Sequence, residues 1–166
     1  YGVTGKLVFS DIANILIQQD LAQSPVALLS AILILAGIGF KISIVPFHSW
    51  APDTYEGAPL PVTAYLSVSS KATGFVALII LMSKIFFESG DGLGIILVFI
   101  SGITMFVGNL SALQQTNPVR LLAYSSIAQA GFILAPIAVA NITNNFEDGV
   151  YAVSYTHLRA HETFAN

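Results

Sequence analysis

Apolar residues in this chain gather into four long stretches that alternate with short polar segments. Each stretch holds about 20 residues, which as a helix is enough to cross the roughly 30 Å hydrocarbon core of a bilayer. The first stretch follows Ser24-Pro25, a pairing typical of a helix N-cap and a first helical position. The pattern predicts an all-α, polytopic transmembrane helical bundle whose four complete spans cover residues 25–45, 61–83, 93–113 and 121–140.

The segments between the spans have the composition of turns and loops. Residues 46–59 contain three prolines together with Trp50 and Tyr55, and aromatic residues of this kind favour the membrane–water interface. We expect the first 24 residues to form a loop with a short amphipathic piece, and a fifth span to begin near Gly149. The amphipathic piece covers residues 11–18, and further turns or polar loops are predicted at residues 88–92, 114–118 and 141–148.

The composition excludes several classes of protein. Of the 166 residues, 55% are hydrophobic and only 9% are charged, whereas a soluble domain carries roughly 25% charged residues. So few charges cannot cover a soluble surface, which excludes a soluble enzyme. The chain has no cysteine, which excludes disulfides, Fe–S clusters and thiolate metal sites. A net charge of −3 without a basic run gives nucleic-acid binding no electrostatic support.

Two further features concern cofactors and the extent of the chain. No glycine-rich dinucleotide fingerprint follows a strand pattern, so we expect this chain to bind no cofactor and no metal. The chain starts at Tyr1 without a methionine and shows no signal-peptide pattern, so we interpret it as an internal fragment of a longer protein.

Lys71 lies near the middle of the second predicted span. A charged lysine at the centre of a bilayer costs about 2.5–3.5 kcal/mol on insertion scales, so it needs a partner, water or the loss of its proton. Because burial disfavours the charged form, such a lysine can take up and release protons. Helical spacing places Ala64, Ser67, Gly74 and Phe75 on its face. The alternative is a lysine that snorkels to the interface, but about ten residues separate it from either end of the span.

Lys41 and His48 lie near the end of the first predicted span. Lys41 follows a glycine-rich run and precedes Pro46 by five residues, which indicates a locally broken helix whose freed carbonyls face water or an ion path. Its closeness to the end of the span leaves snorkelling open as the alternative. His48 titrates near neutral pH when unperturbed, so it is either a proton carrier between a helix end and bulk water or an interfacial histidine without a role.

Arg120 opens the fourth predicted span and precedes the polar residues Tyr124, Ser125, Ser126 and Gln129, of which Ser125 and Gln129 share a helical face. Polar residues inside a span bind neighbouring helices or hold water. Arg120 is therefore a candidate member of a proton path, and its alternative role is to anchor the helix at the lipid headgroups. Asp53 and Glu56 are expected to be solvated or hydrogen-bonded to loop amides, with no proton role.

Three motifs stand out in the chain: residues 40–59 (FKISIVPFHSWAPDTYEGAP), 61–71 (PVTAYLSVSSK) and 120–131 (RLLAYSSIAQAG). In this order they resemble the antiporter-like subunits of respiratory complex I, the NADH:quinone oxidoreductase. Within that family the versions of residues 55–59 and of Ser70-Lys71 are most similar to subunit N. The resemblance covers residues 1–153.

The resemblance implies a fold and a function. The chain would be part of a larger antiporter-like subunit with a discontinuous span that contains Lys41, and Lys41 and Lys71 would relay protons along a central hydrophilic axis. As one subunit of a translocase, it would couple electron transfer from NADH to quinone to proton translocation, without a redox centre of its own. NADH, FMN, Fe–S clusters and quinone would bind to other subunits.

The same resemblance implies a location and partners. The expected partners are the M-, K- and J-like membrane subunits, the lipid bilayer and protons, and no nucleic acid. The expected location is the inner membrane of a bacterial cell, as a multi-pass protein.

Departures from the family pattern occur at two places, and two family residues are absent. The family usually has a lysine where this chain has Val119, so Arg120 or water would have to take its part. The family's partner glutamate upstream and its distal lysine downstream are not in the chain. Residues 154–166 (SYTHLRAHETFAN) do not resemble the family and look like translated adapter sequence, so we expect this tail to be artefactual.

Two rival interpretations remain. A subunit of an Mrp-type cation/proton antiporter or of a membrane-bound hydrogenase shares the same fold and lysines, and sodium transport without quinone activity would indicate it. The other rival is a purely structural membrane subunit whose lysines only pair with neighbouring acids. Loss of assembly rather than of pumping on lysine replacement would indicate that role.

Overall fold

The computed structural model describes residues 2–18, 24–85, 92–143, 145 and 151, and the regular structure in these ranges is helical. The fourth helix, a π-helical turn and the fifth helix follow one another without a break and form one span. The elements are α1 (Phe9–Gln18), α2 (Pro25–Ile42), α3 (Trp50–Gly57), α4 (Leu60–Tyr65), the π-helical turn (Leu66–Ser70), α5 (Lys71–Lys84), α6 (Gly92–Leu113) and α7 (Pro118–Thr143).

Four of the described helical segments are long and apolar enough to cross a membrane, which confirms the all-α, four-span prediction. They are Pro25–Ile42, Leu60–Lys84, Leu93–Leu113 and Pro118–Thr143. The short amphipathic piece is the helix α1. The predicted turn at 88–92, the beginning of a fifth span near Gly149 and the tail at 154–166 lie almost wholly outside the described residues.

The fourth span begins three residues earlier than predicted. Asn117 accepts a hydrogen bond from the backbone N–H of Val119 through its side-chain oxygen, at 2.9 Å, and Pro118 takes the first helical position. An asparagine cap followed by proline is a strong start signal, because the cap satisfies one free N–H and proline has none to satisfy. The helix therefore starts at the polar turn and carries Arg120 in its first turn.

The hydrophobic core joins all four spans. It contains Leu35 and Ile42 from α2, Leu78 from α5, Leu97 from α6 and Leu134 from α7, among others. Large apolar side chains also cover the outward faces, and Leu33, Phe99, Phe106 and Leu122 are among those left exposed. Exposed apolar surface on this scale suits contact with lipid or with other helices rather than with water.

Helices α6 and α7 form a tightly packed hairpin. Glycines allow the close approach: a Cβ on Gly108 would lie 2.7 Å from the backbone nitrogen of Ala128, and one on Gly131 would lie 2.8 Å from Cγ of Met105. The Ser101 hydroxyl donates a hydrogen bond to the Gly131 carbonyl at 2.8 Å. Small residues and interhelical hydrogen bonds are the usual means of joining helices in lipid, where the hydrophobic effect does not drive their association.

A Schellman motif ends α2 directly after Lys41 and Ile42. Ser43 adopts the left-handed conformation, with φ 60° and ψ 44°, and its N–H donates to the Phe40 carbonyl at 3.2 Å. The N–H of Ile44 donates to the Gly39 carbonyl at 3.0 Å, which completes the motif. The chain leaves the helix axis here and regains helical structure only at Trp50.

The connector between α2 and α3, residues 43–49, is held from both sides. The N–H of Val45 donates to the Thr104 hydroxyl of α6 at 3.1 Å. The indole N–H of Trp50 donates to the Phe40 carbonyl at 3.0 Å, and the two rings stack with their centroids 5.4 Å apart. The break in the helical structure is therefore fixed by packing and hydrogen bonds.

The prediction that residues 46–59 are a loop was wrong for its second half, which forms the helix Trp50–Gly57. Pro52 signalled a break, but it lies in the first turn, where a missing N–H costs no helical hydrogen bond. The helix is stabilised by packing, because its Tyr55 lies against Ile127 of α7. Because this contact joins distant parts of the sequence, the residues of the helix themselves give no sign that it forms.

The π-helical turn changes which residues share the face of Lys71. A π turn holds one residue more than an α turn and so rotates the side chains that follow it. Lys71, Gly74 and Phe75 are buried together, as the spacing predicted, but Ala64 is exposed. The prediction that Ala64 shares the face of Lys71 was therefore wrong.

Candidate functional site

Lys71 is the buried charge at the centre of the bundle, and its side chain is 6% exposed. Its Nζ donates to the backbone carbonyl of Ser126 at 3.1 Å and to the Ser126 hydroxyl at 2.9 Å. The ring of Tyr55 lies on another side, with its centroid 5.9 Å from Nζ. Three elements, α3, α5 and α7, therefore converge on this amine.

Among the residues that the structure describes, the surroundings of Lys71 contain neutral acceptors and no counter-ion. In the described ranges, no carboxylate lies within ion-pairing distance of Nζ. The two acceptors supply only partial negative charge, and a distance of 5.9 Å from the Tyr55 ring is at the outer limit of a cation–π contact. An amine held in this way has hydrogen-bond partners in its charged form, but no opposite charge fixes its proton.

Ser126 connects Lys71 to the backbone of α7. Its hydroxyl accepts from Lys71 Nζ and donates to the Ala123 carbonyl three residues earlier, at 2.8 Å. A hydroxyl can turn about its C–O bond, and it can donate one hydrogen bond and accept two. Ser126 can therefore redirect its proton without moving its oxygen.

Tyr55 covers Lys71 from the side of α3. It is 3% exposed and packs with Ala51 of its own helix against Ala123 and Ile127 of α7. Burial raises the pKa of Tyr55, and the neighbouring Ser126 side chain opposes this shift. Among the described residues, no hydrogen bond of good geometry reaches its hydroxyl.

Lys41 lies one helix away from Lys71, with its side chain exposed. Its alkyl chain packs against α5, because a Cβ on Gly74 would lie 3.3 Å from Cγ of Lys41. Gly74 is three residues after Lys71, so the structure brings the two lysines to neighbouring positions of α2 and α5. The absence of a side chain on Gly74 leaves the space that this approach needs.

His48 lies in the connector and is half-buried. Burial lowers its pKa, and the nearby Pro46 carbonyl partly opposes the shift. A lowered pKa keeps the imidazole neutral at pH 7, so that it can both accept and donate a proton. The structure places His48 on the chain that leads away from Lys41 and not beside Lys71.

Arg120 forms ion pairs with both acids of α3, which corrects the expectation that these acids bind loop amides or water alone. Its Nη1 lies 2.9 Å from Oδ1 of Asp53 and 2.8 Å from Oε2 of Glu56. Asn117 donates to the other oxygen of Glu56 at 2.7 Å. These contacts join the start of α7 to α3 and hold Tyr55 against the bundle.

The sequence identified only some of the residues of this site. Lys71 stood out as a charge within a span, whereas Ser126 was one polar residue among several on the fourth span. Tyr55 was assigned to the interface, yet it is buried beside the lysine. The hydroxyl-bearing residues of the fourth span predict a polar contact with another helix, but only the fold shows which hydroxyl binds the lysine.

A bundle of membrane-spanning helices with an ionisable amine buried within it defines a class of integral membrane proteins, those with an internal titratable site. The sequence model of the NADH:quinone oxidoreductase/Mrp antiporter transmembrane family matches residues 1–164. The chain belongs to this family. The match continues past residue 153, where the motif-based resemblance ended, into the tail that lies outside the described residues.

Curated relatives are named as subunits of NADH-quinone or NAD(P)H-quinone oxidoreductases. NADH-quinone oxidoreductase subunit N 1 of Roseiflexus castenholzii is 51% identical over 126 residues, which are 71% of this chain and 23% of that protein. NADH-quinone oxidoreductase subunit N of Desulfitobacterium hafniense is 45% identical over 158 residues, which are 93% of this chain and 31% of that protein. NAD(P)H-quinone oxidoreductase subunit 2 of Trichormus variabilis is 47% identical over 135 residues, 81% of this chain and 26% of that protein.

A solved structure shares the fold. It is a chain of the membrane-bound sulfane sulfur reductase, described as an archaeal respiratory membrane complex, with a TM-score of 0.67 and 26% identity. The match covers 92% of this chain and 32% of that one. The chain thus spans between about a quarter and a third of the length of the proteins it matches.

Proposed function

We propose that this chain is a segment of a membrane-arm subunit, of the N type, of a proton-translocating NADH:quinone oxidoreductase. The family membership and the names of the curated relatives support this assignment. NADH, FMN, Fe–S clusters and quinone would bind in other subunits. The neighbours would be M-, K- and J-like membrane subunits, and the bilayer would be the bacterial inner membrane.

The observation that carries the proposal is the setting of Lys71. The amine is buried within a span and held by two neutral oxygens of Ser126, with no carboxylate beside it in the described ranges. In a bilayer, a charge without a counter-charge is costly, so small changes in the surrounding field shift the balance between the charged and neutral amine. Such a group is suited to gain a proton in one state of the complex and to lose it in another.

Lys41, His48 and Arg120 have supporting roles in this proposal. Lys41, packed against the turn after Lys71, is the second amine of the relay, and a positive charge on one of them disfavours a positive charge on the other. His48 carries protons between the helix end and water, because its neutral ring both donates and accepts. Arg120 positions α3 through its two ion pairs, and we assign it no proton transfer.

A second candidate is a cation/proton antiporter or hydrogenase subunit. One observation favours it: the family is named for Mrp antiporters as well as for NADH:quinone oxidoreductase. The site residues would act in the same way, and only the other subunits of the complex would differ. Sodium transport without quinone reduction in the intact complex would select this candidate.

The experiment replaces Lys71 by alanine in the full-length subunit, in a host that lacks its own copy. NADH-driven proton uptake into inverted membrane vesicles is measured together with NADH oxidation by a soluble acceptor and the amount of assembled complex. Lys84→Ala is the matched control, because Lys84 is exposed in the last turn of the same helix α5.

The outcomes separate the roles of Lys71. We expect Lys71→Ala to lower proton uptake to less than about a tenth, while assembly and acceptor activity persist. Normal pumping in Lys71→Ala would refute a relay role. Loss of assembled complex in Lys71→Ala but not in Lys84→Ala would indicate the purely structural role.

A further inference from the structure

The Tyr55 hydroxyl is one of the buried polar groups, among the described residues, that the relay of lysines does not use. Tyr55 is 3% exposed, and no described residue forms a hydrogen bond of good geometry with its oxygen. A phenylalanine would fill the same space against α7 without this cost, because a buried hydroxyl without a partner destabilises the fold. The hydroxyl therefore needs an explanation other than packing.

The hydroxyl belongs to a residue that lies beside both Lys71 and Ser126. The Tyr55 ring centroid is 5.9 Å from Lys71 Nζ, and Nζ is 2.9 Å from the Ser126 oxygen. The Ser126 side chain is also close enough to Tyr55 to counteract part of the rise that burial causes in the Tyr55 pKa. Ser126 thus stands between an amine and a phenol.

The direction of the Ser126 hydrogen bond explains why the chain of groups is interrupted. Its hydroxyl donates to the Ala123 carbonyl at 2.8 Å while it accepts from Lys71. In this orientation its proton points away from Tyr55. A rotation about the C–O bond would aim the proton at the Tyr55 oxygen and leave the contact with Lys71 in place.

We propose that Tyr55 and Ser126 form a hydroxyl relay through which Lys71 exchanges its proton with a water molecule that reaches the Tyr55 oxygen. The proposal rests on the proposed function, since it requires Lys71 to change protonation. In the releasing direction, an N–H bond of the Lys71 ammonium breaks as an O–H bond forms at Ser126. The former Ser126 proton passes to Tyr55, and the former Tyr55 proton passes to a water molecule, so that both hydroxyls end neutral.

The orientation of Ser126 acts as the gate of this relay. The path is open when the hydroxyl points to Tyr55 and closed when it points to the Ala123 carbonyl. After each transfer, both hydroxyls must rotate back before another proton can pass in the same direction. The gate therefore moves protons one at a time, and it involves no displacement of a helix.

The ion pairs of Arg120 set the position of Tyr55. Asp53 and Glu56 flank Tyr55 in α3, and their side chains are 72% and 42% exposed. Both pair with Arg120 at the start of α7, the helix that also carries Ser126. The contact thus fixes the phenol relative to the serine.

The test compares four replacements in the full-length subunit, within the assembled complex: Tyr55→Phe, Ser126→Ala, Ser126→Thr and Lys71→Ala. Tyr65→Phe is the matched control, since it removes the same hydroxyl from an exposed tyrosine on α4. The measurements are the initial rate of NADH-driven proton uptake into inverted vesicles, its solvent deuterium isotope effect and the amount of assembled complex.

We expect Tyr55→Phe and Ser126→Ala each to lower the rate about tenfold or more, as the loss of a positioned proton carrier does. Ser126→Thr keeps a hydroxyl and should restore most of the rate, and Tyr65→Phe should leave it unchanged. The isotope effect should be larger in the wild type than in Tyr55→Phe, because only the complete relay moves several protons in one step.

Two results would overturn the relay. One is normal pumping in Tyr55→Phe when Lys71→Ala abolishes pumping, which would leave the proposed function intact and place the exchange route elsewhere. The other is a failure of Ser126→Thr to restore the rate lost in Ser126→Ala, which would assign the serine to packing. Normal pumping in Lys71→Ala would instead overturn the proposed function, and the relay with it.

Discussion

The contact between α6 and α7 predicts opposite effects of one substitution at two glycines of the same helix. A Cβ on Gly108 would lie 2.7 Å from the backbone nitrogen of Ala128, whereas nothing lies within 4 Å of a Cβ on Gly102. An ordinary contact needs about 3.5 Å, so Gly108→Ala must separate the two helix backbones by roughly 0.8 Å. Gly102→Ala requires no movement.

The two variants share every effect except this contact. Replacing glycine by alanine inside a helix stabilises it by about 0.5–1 kcal/mol, and this gain is common to both. Overpacking against a backbone that cannot yield costs about 1–3 kcal/mol and applies to Gly108 alone. We therefore expect Gly108→Ala to be less stable than Gly102→Ala by about 1–3 kcal/mol.

The assay is the thermal stability of the purified complex in a mild detergent, followed as loss of the intact particle on size-exclusion chromatography. The expected order is Gly102→Ala at or above the wild type, with Gly108→Ala below both. Equal stability of the two variants would refute the close approach of α6 and α7 at Ala128. It would also remove the basis for the placement of Ser126, two residues before Ala128 in α7.

Two further predictions concern the connector. Burial lowers the pKa of His48 below its unfolded value of about 6.5, so the unfolded state binds more protons; the stability that neutral His48 contributes above that pH is therefore lost as the pH falls through the folded pKa. The thermal stability of the complex should decline less between pH 7 and pH 5 in His48→Gln than in the wild type. Equal slopes in the two proteins would contradict this. Ser43 is buried, has a positive φ of 60°, and its side-chain oxygen has no hydrogen-bond partner among the described residues. Ser43→Gly should therefore raise stability by up to about 1 kcal/mol, whereas Ser43→Val should lower it, and the same assay checks this order.

The spans could be predicted from the sequence because the bilayer imposes a length and a composition on each of them. Lys71 could be singled out for the same reason, since a charged residue in the middle of an apolar span is costly and usually has a functional role. The start of α7 was also within reach, because Asn117-Pro118 is a capping signal that a purely hydropathic reading overlooks.

The partners of Lys71 could not be predicted, and the reason is topological. Ser126 follows Lys71 by 55 residues, and the local pattern of the fourth span gives it no advantage over Ser125 or Gln129. The helix α3 was missed because eight residues with a proline have little helical preference of their own, and packing against α7 stabilises them instead. The π-helical turn has no sequence signature, since it depends on what both of its ends must contact.

The π-helical turn at Leu66–Ser70 lets one span meet two separate rotational requirements. In a regular helix, the angular phase of the first turn fixes the phase of every later turn, at about 100° per residue. One surplus residue shifts that phase, so α4 can follow the proline-rich entry while α5 turns its lysine toward α7. If the same residues formed a regular α-helix throughout, Lys71 would lie about 100° around the helix axis from its present position relative to α4. The span would keep its length and hydropathy, yet its lysine would point away from Ser126.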